Sequence, residues 1–255
     1  MKTAGNDNAG FYFDKLSDGA TIGRFGVLDS LGLVHGVTTL QGFDTALAAA
    51  DPASAAMRFA SALGRDNAAW LEQVHGVDSI IVDSPGQAGS ADGLISQTPG
   101  LTLVGRSADC PLVLVADLDG GAVGMFHAGW RGVVGGIAKG FVRKLVGRFD
   151  SAPARLAACI CPSVGMCCYE VGEDVRQAAV AGLGARAVRF FEYHKGKLHF
   201  DMQSCIGDQL LRVGLVKRNL YQASVCTICH DDLFCSYRRQ GGAAGRFQAA
   251  IARGA

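Results

Sequence analysis

Short apolar runs that end at glycine, aspartate or proline are the feature that most limits how this chain can fold. Runs of this length, bounded by turn-forming residues, predict β-strands, with at least one of them fully buried. Segments whose apolar residues lie three and four positions apart fall between and after these runs, and they predict amphipathic helices. The chain is therefore predicted to have a mixed α/β (α+β) fold. The strand-like runs are Val77–Val82, Leu101–Val104, Leu112–Val115, Ala122–Phe126 and Leu156–Ile160.

Capping residues mark the ends of the predicted helices. Asp51 is expected to cap a helix that has Pro52 at its first position and stops at Gly64. A second helix is predicted from Trp130 to Arg148, a third after Gly172, and a fourth from Asp201 to Gly214. The segment from residue 190 to residue 200 is predicted to be a β-hairpin with Gly196 in its turn.

Composition narrows the class of protein further. The chain has 255 residues, of which 49% are hydrophobic and 18% charged, and a net charge of +1. Such a charge provides no field that would concentrate nucleic acid or an anionic membrane, so we expect a small-molecule ligand and neither of those partners. We predict one domain over 1–255, with residues 1–30 as a peripheral segment, and a monomer. Nine cysteines and the lack of an apolar signal segment predict a cytoplasmic protein with free thiols.

Three segments place a metal-binding side chain at the end of a strand-like run. They contain His75, Cys110 and His127, and Cys110 lies 35 positions after His75 and 17 positions before His127. A histidine beside glycine and a cysteine before proline both favour turns, so the three side chains can project from one rim of the fold. Two imidazoles and one thiolate suit zinc or copper and leave a coordination position for water.

The other cysteines form two further groups. The segment from Cys226 to His230 has the C-x-x-C-H pattern of covalent haem attachment, but that chemistry belongs to exported proteins. Since Thr227–Ile228 continue an apolar strand in this interpretation, we expect Cys226 and Cys229 to be core or loop residues without haem. The second group lacks paired C-x-x-C spacing, so a cysteine-rich core is favoured over a thiolate zinc site. It consists of Cys159, Cys161, Cys167 and Cys168.

Seven motifs occur in the order typical of one bacterial family. The chain resembles the laccase-domain family, whose members are described as multicopper polyphenol oxidase, purine nucleoside phosphorylase or peptidoglycan editing factor. The resemblance covers residues from about 33 to 251. It implies a single-domain, four-layer α/β/β/α sandwich related to cysteine hydrolases, and a zinc ion bound by His75, Cys110 and His127. The motifs are QVHG, ADG, SADCPLVLVAD, HAGWRG, CPSVGMCCYEVG, CTICHDDLFCSYRR and GR.

Polar residues in and near these motifs are candidates for substrate contacts. Arg131 lies near a predicted helix start and is expected to hold phosphate. Asp92 and Asp109 can orient an imidazole or bind a ribose hydroxyl. Because two adjacent residues of a strand point to opposite faces, one arginine of the Arg238–Arg239 pair is expected to face the pocket. Gln73, in the first motif, completes this predicted substrate-binding set.

The favoured function is that of a zinc-dependent purine nucleoside enzyme. It would phosphorolyse adenosine, inosine or methylthioadenosine, with Cys110, His127 and Arg131 as catalytic residues, and it would also deaminate adenosine through a metal-activated water. One alternative is a cysteine hydrolase that cleaves an amide in a peptidoglycan precursor, with Cys110 as nucleophile and His127 as base. A copper polyphenol oxidase and a non-catalytic, metal-carrying interaction module are the remaining alternatives.

Overall fold

The described structure contains β-strands and α-helices in nearly equal amounts. The computed structural model describes residues 10–119 and 121–254. The strands are β1 (Phe11–Lys15), β2 (Thr21–Phe25), β3 (Val34–Thr38), β4 (Ala69–Glu72), β5 (Ser79–Ile81), β6 (Gly86–Ser90), β7 (Gly93–Ser96), β8 (Leu103–Ser107), β9 (Leu112–Asp117), β10 (Val123–His127), β11 (Leu156–Ile160), β12 (Phe191–His194), β13 (Lys197–Phe200), β14 (Leu220–Gln222) and β15 (Phe247–Ala252).

The strands form two large sheets and one hairpin. The first sheet has seven strands in the order β1-β2-β3-β15-β8-β4-β6, and it is antiparallel except for the pairs that β4 makes with β8 and β6. The second sheet has the order β14-β11-β9-β10-β7-β5, with parallel pairs at its two edges. The predicted hairpin is confirmed as β12 and β13, with positive φ at Lys195 and Gly196 in its turn.

Helices alternate with the strands along the chain and pack against the sheets. No helix in the described ranges has the length and apolar character that crossing a membrane requires. The helices are α1 (Gly26–Ser30), α2 (Thr45–Ala50), α3 (Pro52–Ala62), α4 (Trp130–Gly135), α5 (Ile137–Phe149), α6 (Glu173–Leu183), α7 (Met202–Arg212) and α8 (Tyr237–Gln240), with 3₁₀ turns at Pro153–Arg155, Ala185–Phe190, Lys217–Asn219 and Gly241–Ala243.

Three apolar clusters show how these elements pack. One contains residues of both sheets, such as Leu103 of β8 and Leu114 of β9, so it lies between them. In another, α3 packs Phe59 against the first sheet. In the last, α5 and α7 pack against the second sheet. The two sheets approach closely at Gly105, where an added Cβ would overlap the Met125 side chain. Burial of apolar area in these clusters is the main stabilising contribution to the fold.

Local capping signals correctly predict three helices. The Asp51 carboxylate accepts a hydrogen bond from the Ser54 backbone N–H, as an N-cap does. Asp201 caps α7 in the same way, and α6 begins directly after Gly172. The helix predicted from Trp130 to Arg148 is wrong as one element. Gly136 takes a left-handed φ of 84° and divides it into α4 and α5.

The prediction that residues 1–30 are peripheral is also wrong for part of the described segment. β1 does form an edge of the first sheet. However, Ile22 and Phe25 of β2 and Leu28 of α1 are fully buried. The polar and glycine-rich composition of the segment concealed these three apolar residues, which face the core. Residues 1–9 lie outside the described residues.

His35 provides a test of the first sheet through pH. Its ring is fully buried in β3, where Nε2 accepts a hydrogen bond from the Phe25 N–H and Nδ1 lies 3.2 Å from the Leu33 carbonyl oxygen. Burial lowers the pKa of His35 below its ordinary value of 6.5. On acidification, the unfolded chain binds a proton at His35 at a higher pH than the folded chain does. The stability that the neutral, buried His35 ring contributes is therefore complete above pH 6.5 and decreases as the pH falls below that value.

We expect the His35→Gln chain to lose less stability on acidification than the parent chain. Glutamine can still accept from the Phe25 N–H, but it does not titrate. Urea unfolding at about pH 7.5 and about pH 5.5, on either side of the histidine range, measures the difference. If both chains lost the same unfolding free energy between the two pH values, His35 would not be a source of the acid sensitivity.

Candidate metal centre and active site

Three segments meet where the two sheets adjoin. β4 ends at Glu72, and His75 follows in a turn with a φ of 58°. The chain crosses from the first sheet to the second between β8 and β9, and Cys110 lies in that crossing. His127 is the last residue of β10. Backbone hydrogen bonds from His127 N to Asp92 O and from Ala128 N to Pro111 O join the segments. The three predicted ligands are thus brought to one place.

The geometry of these three side chains fits one metal ion. Their ligand atoms all lie within 4.8 Å of one another. The two imidazole rings meet edge to face, with centroids 4.9 Å apart. Zinc with nitrogen and sulfur ligands at about 2.0 to 2.3 Å needs ligand atoms roughly 3.3 to 3.8 Å apart, so small side-chain rotations are sufficient. His75 is exposed while His127 is buried, which leaves the solvent side of the centre open.

Asp92 orients this centre. Its carboxylate accepts hydrogen bonds from the backbone N–H groups of His75 (3.1 Å) and Gly76 (2.5 Å) and pairs with His127 Nδ1 at 2.8 Å. Because Nδ1 is engaged, Nε2 is the ring nitrogen of His127 that would bind a metal ion, as in histidine ligands whose other nitrogen meets a carboxylate. Burial raises the pKa of Asp92, but the hydrogen bonds from His127 and Gly76 outweigh it and lower the pKa below its ordinary value. Asp92 is therefore a charged anchor for the ligands.

Cys110 is poised as a thiolate in the metal-free site. Burial raises its pKa, but the hydrogen bonds and charges of His127 and His75 outweigh burial and bring the pKa to about 6. Burial lowers the pKa of His127, and the hydrogen bonds with Asp92 and Cys110 reverse this and raise it to about 9. A thiolate beside a protonated imidazole is the charge state that a metal cation replaces on binding, with release of the imidazolium proton.

Asp109 holds together the loops around the ligands. It has a φ of 90°, unusual for a residue other than glycine. Its buried carboxylate accepts hydrogen bonds from the Thr227 hydroxyl (2.6 Å), the Ser236 hydroxyl (2.9 Å) and the Arg238 N–H (2.7 Å). Its own carbonyl accepts from the Val164 N–H. Sequence reasoning missed Thr227 and Ser236, although both lie within the sixth motif.

Tyr169 is a further residue near the centre that sequence reasoning missed, although it lies in the fifth motif. The Arg238 guanidinium lies 5.1 Å from its ring centroid and donates a hydrogen bond to the Glu170 carbonyl oxygen. Burial and the negative charge of Cys110 raise the pKa of Tyr169 to about 12, while the positive charges of Arg238 and Arg131 oppose this rise. The Tyr169 hydroxyl therefore lies within electrostatic reach of the thiolate and of two guanidinium groups.

A family model described as multi-copper polyphenol oxidoreductase laccase matches residues 41–254. The chain belongs to this family. The match spans all three ligand residues, Asp92 and the loops that Asp109 joins. The predicted resemblance is therefore confirmed.

Curated relatives and solved structures are similar to this chain in sequence and in structure. A purine nucleoside phosphorylase of Deinococcus radiodurans is 37% identical over 197 residues, which are 76% of this chain and 74% of that protein. The crystal structure of the Bacillus licheniformis hypothetical protein YfiH has a TM-score of 0.82 at 25% identity and covers 94% of this chain and 98% of that one. YlmD of Geobacillus stearothermophilus has a TM-score of 0.80 at 28% identity, with coverage of 92% and 96%. The mixed α+β fold is thus shared with these proteins.

Other predicted site residues have roles apart from the metal centre. Gln73 exchanges hydrogen bonds with the backbone N–H and carbonyl of Arg106. Arg239 donates to the carbonyl oxygens of Ile228 and Phe234. Arg131 is exposed in the first turn of α4, with its guanidinium 4.4 Å from the Trp130 ring centroid. The prediction that Arg238–Arg239 follow a strand with opposite faces is wrong, because both residues lie in the short helix α8.

The expected grouping of cysteines is wrong in part. Cys159 and Cys161 are fully buried core residues of β11 and the residue after it. Cys167 is exposed and Cys168 is half-buried, so neither belongs to the core. Thr227–Ile228 do not continue a strand, because the chain turns directly after an isolated bridge between Ser163 and Cys226. Cys226 is buried and Cys229 is exposed in this loop.

Gly129 lets the ligand side chains approach, and we expect Gly129→Ala to weaken zinc binding by roughly tenfold. An added Cβ would lie 2.7 Å from His75 Cδ2 and 3.5 Å from Cys110 Sγ, so the imidazole has to move. A tenfold loss corresponds to about 1.4 kcal/mol, a modest penalty for a displaced ligand. Zinc affinity measured by chelator competition checks this. Gly147→Ala is the matched control, since no atom lies within 4 Å of its added Cβ. If Gly129→Ala bound zinc as tightly as the parent chain, the approach of His75 and Cys110 would not depend on glycine at this position.

Proposed function

We propose that this chain is a zinc-dependent purine nucleoside phosphorylase that acts as a monomer on adenosine, inosine and methylthioadenosine. The observation that carries the proposal is the convergence of His75, Cys110 and His127 within 4.8 Å, beside a tyrosine within reach of two guanidinium groups. The name of the Deinococcus radiodurans relative supports the reaction class. We further propose a four-layer α/β/β/α sandwich, which the three apolar clusters support. We also propose a relation to cysteine hydrolases, which the pairing of Asp92 with His127 beside Cys110 supports.

In this proposal the arginines bind phosphate. Arg131 is exposed and free to reach an anion from α4. Arg238 is held against Tyr169 and adds a second guanidinium. A phosphate oxygen then attacks the anomeric carbon of the nucleoside, the glycosidic bond breaks with its electron pair going to the base, and the base takes up a proton. Two guanidinium groups that fix the phosphate in line with this bond supply catalysis through positioning.

The ligand residues and Tyr169 act on the nucleoside. A zinc ion bound by His75, Cys110 and His127 supplies Lewis-acid stabilisation of developing negative charge. The pKa of Tyr169 of about 12 keeps its hydroxyl protonated at neutral pH, so that it can donate a hydrogen bond to the substrate. Asp92 keeps the His127 ring in place, and Asp109 keeps Arg238 in place. In the same proposal, deamination of adenosine would need a water at the metal centre that attacks the purine ring carbon bearing the amine, with ammonia as the leaving group.

A cysteine hydrolase is the second candidate, and one observation favours it. In the metal-free site the pKa of Cys110 is about 6, and Asp92 pairs with His127 Nδ1. This is the nucleophile, base and orienting carboxylate of a cysteine hydrolase. Amide cleavage in a peptidoglycan precursor would take its oxygen from water, require no phosphate, and be inhibited by zinc at Cys110. These three properties separate it from the phosphorylase.

The copper oxidase and the interaction module are less well supported. Within residues 10–119 and 121–254, two groups of side chains could hold a metal ion, and just one of these two groups contains histidine. Multicopper oxidation needs several copper centres rich in imidazole ligands, so a single histidine-containing group does not favour this function. A non-catalytic module gives no role to the guanidinium groups near Tyr169.

The test is base release from inosine and adenosine by zinc-loaded and copper-loaded protein, with and without phosphate. We expect the zinc form to release base and ribose 1-phosphate at a rate that rises with phosphate and saturates. Release of base that does not depend on phosphate, or activity only with copper on a phenol substrate, would overturn the proposal. Cleavage of a peptidoglycan precursor by the metal-free chain would favour the hydrolase.

Arg131→Ala is expected to lower apparent phosphate affinity by about ten- to a hundredfold. Loss of one charge-assisted hydrogen bond costs roughly 1.5 to 3 kcal/mol, which corresponds to this range. Zinc content should not change, and Arg131→Lys should restore only part of the affinity, because lysine lacks the planar fork. Phosphate saturation curves with zinc analysis measure both properties. Arg58→Ala, an exposed arginine of α3, is the control. A saturation curve unchanged by Arg131→Ala would remove this residue from the phosphate site.

A further inference from the structure

Two loops bring four thiols together at the surface, apart from the metal centre described above. Cys229 Sγ lies 3.7 Å from Cys167 Sγ and 3.5 Å from Cys168 Sγ. All four sulfur atoms lie within 4.8 Å of one another. The members of this four-cysteine cluster are Cys167, Cys168, Cys226 and Cys229.

The sulfur separations match a tetrahedral thiolate site. With zinc–sulfur bonds of about 2.3 Å, the edge of a ZnS₄ tetrahedron is roughly 3.8 Å. The two measured separations are close to this value and far above the roughly 2.05 Å of a disulfide bond. Soft thiolate ligands in a tetrahedral arrangement select zinc or iron among the common metals.

The backbone around Cys226 is arranged to stabilise a thiolate. Its sulfur accepts a hydrogen bond from the Gly165 N–H at 3.3 Å, and the N–H groups of Ile228 and Cys229 also donate to it. Cys226 and Cys229 are three residues apart, so their C-x-x-C turn directs its own N–H groups at its first sulfur. Such donors offset the negative charge that several thiolates bring to one cation.

A positive side chain and an open approach complete the arrangement. The Arg239 guanidinium lies 3.3 Å from the Ile228 carbonyl oxygen, which brings positive charge to the loop between the two cysteines. Cys167 and Cys229 are exposed, so an ion can enter from solvent.

We propose that the four-cysteine cluster binds one zinc ion as a structural site, separate from the centre formed by His75, Cys110 and His127. Each thiol that becomes a ligand releases its proton to solvent. The ion joins the loop before α6 to the loop before α8. These loops also carry Tyr169 and Thr227, so the structural ion holds in place two residues that border the active site. The proposal does not depend on the enzymatic reaction.

Metal analysis of the full chain, three variants and one control variant tests the proposal. The chain is loaded with zinc under reducing conditions, separated from free metal, and analysed for zinc, iron and copper per chain. The variants are Cys229→Ser, Cys110→Ala and the double variant. We expect Cys229→Ser to carry one zinc ion fewer than its parent, whether or not Cys110 is present. The Cys161→Ala chain, which loses a core thiol outside the cluster, should keep the zinc content of the parent.

Cobalt substitution provides a second measurement that does not rely on subtraction. In the Cys110→Ala chain we expect Co²⁺ to give the intense charge-transfer bands of a tetrahedral site with four thiolates, and Cys229→Ser to remove much of that intensity. Three outcomes overturn the proposal. They are equal zinc content with and without Cys229, stoichiometric iron in place of zinc, and an intact mass that shows a disulfide within the cluster. Because Cys229 is exposed, its replacement by serine leaves the core unchanged.

Discussion

Cys110→Ala should lower phosphorolysis by about a thousandfold or more and remove one zinc ion per chain. The thiolate is the charged ligand between two imidazoles, and without it the remaining histidines form an incomplete site. Loss of a catalytic metal removes several kcal/mol of transition-state stabilisation, and about 4 kcal/mol corresponds to three powers of ten in rate. Steady-state rates with inosine and metal analysis of the same preparation measure the two effects together.

Cys161→Ala is the control for loss of a thiol. Cys161 is fully buried, burial raises the pKa of its thiol well above the ordinary range, and it is not among the ligand groups of the described residues. We expect its zinc content and its rate to stay near those of the parent chain. If Cys110→Ala retained its zinc and lost only activity, Cys110 would be a nucleophile and not a ligand, and the cysteine hydrolase would become the favoured function.

Asp109→Asn should lower the free energy of unfolding by about 3 to 5 kcal/mol. The buried carboxylate accepts three hydrogen bonds, from Thr227, Ser236 and Arg238. Asparagine tolerates the positive φ, so the change tests the hydrogen bonds and not the backbone conformation. One carboxylate oxygen becomes an NH₂ group that faces donors, and breaking a buried charged interaction of this kind costs several kcal/mol. Denaturant unfolding measures the change.

Asp44→Asn is the matched control for this substitution. Asp44 is an exposed N-cap of α2 whose carboxylate accepts from the Leu47 N–H. Because asparagine caps helices about as well as aspartate, we expect almost no change in stability.

We also expect Asp109→Asn to weaken phosphate binding, since the Arg238 backbone loses its anchor. If Asp109→Asn lowered the free energy of unfolding by less than about 1 kcal/mol, the scale of one ordinary hydrogen bond, the loops would hold together without Asp109.

Local sequence was sufficient for elements whose ends are set by neighbouring residues. The Asp51 and Asp201 caps, Gly172 before α6 and the Gly196 turn each act within a few residues, so the helices and the hairpin that they bound could be predicted. The apolar runs that become β9, β10 and β11 could be predicted as strands for the same reason. The divided helix was missed because α4 and α5 together still present a continuous apolar pattern, which Gly136 interrupts only through its backbone conformation.

For the metal centre, the sequence determined the types of ligand and their positions at strand ends, and the resemblance of the ordered motifs to the laccase-domain family then named His75, Cys110 and His127 as one set. It did not determine what Asp109, Gln73 and Arg239 contact. A polar residue occupies the same place in a motif whether it binds substrate or another part of the protein. Only the tertiary structure decided how the cysteines divide. Cys159 faces the core, whereas Cys168 meets Cys229 across 61 positions of sequence. No periodicity encodes a contact over that separation, since it depends on where the two sheets place their connecting loops.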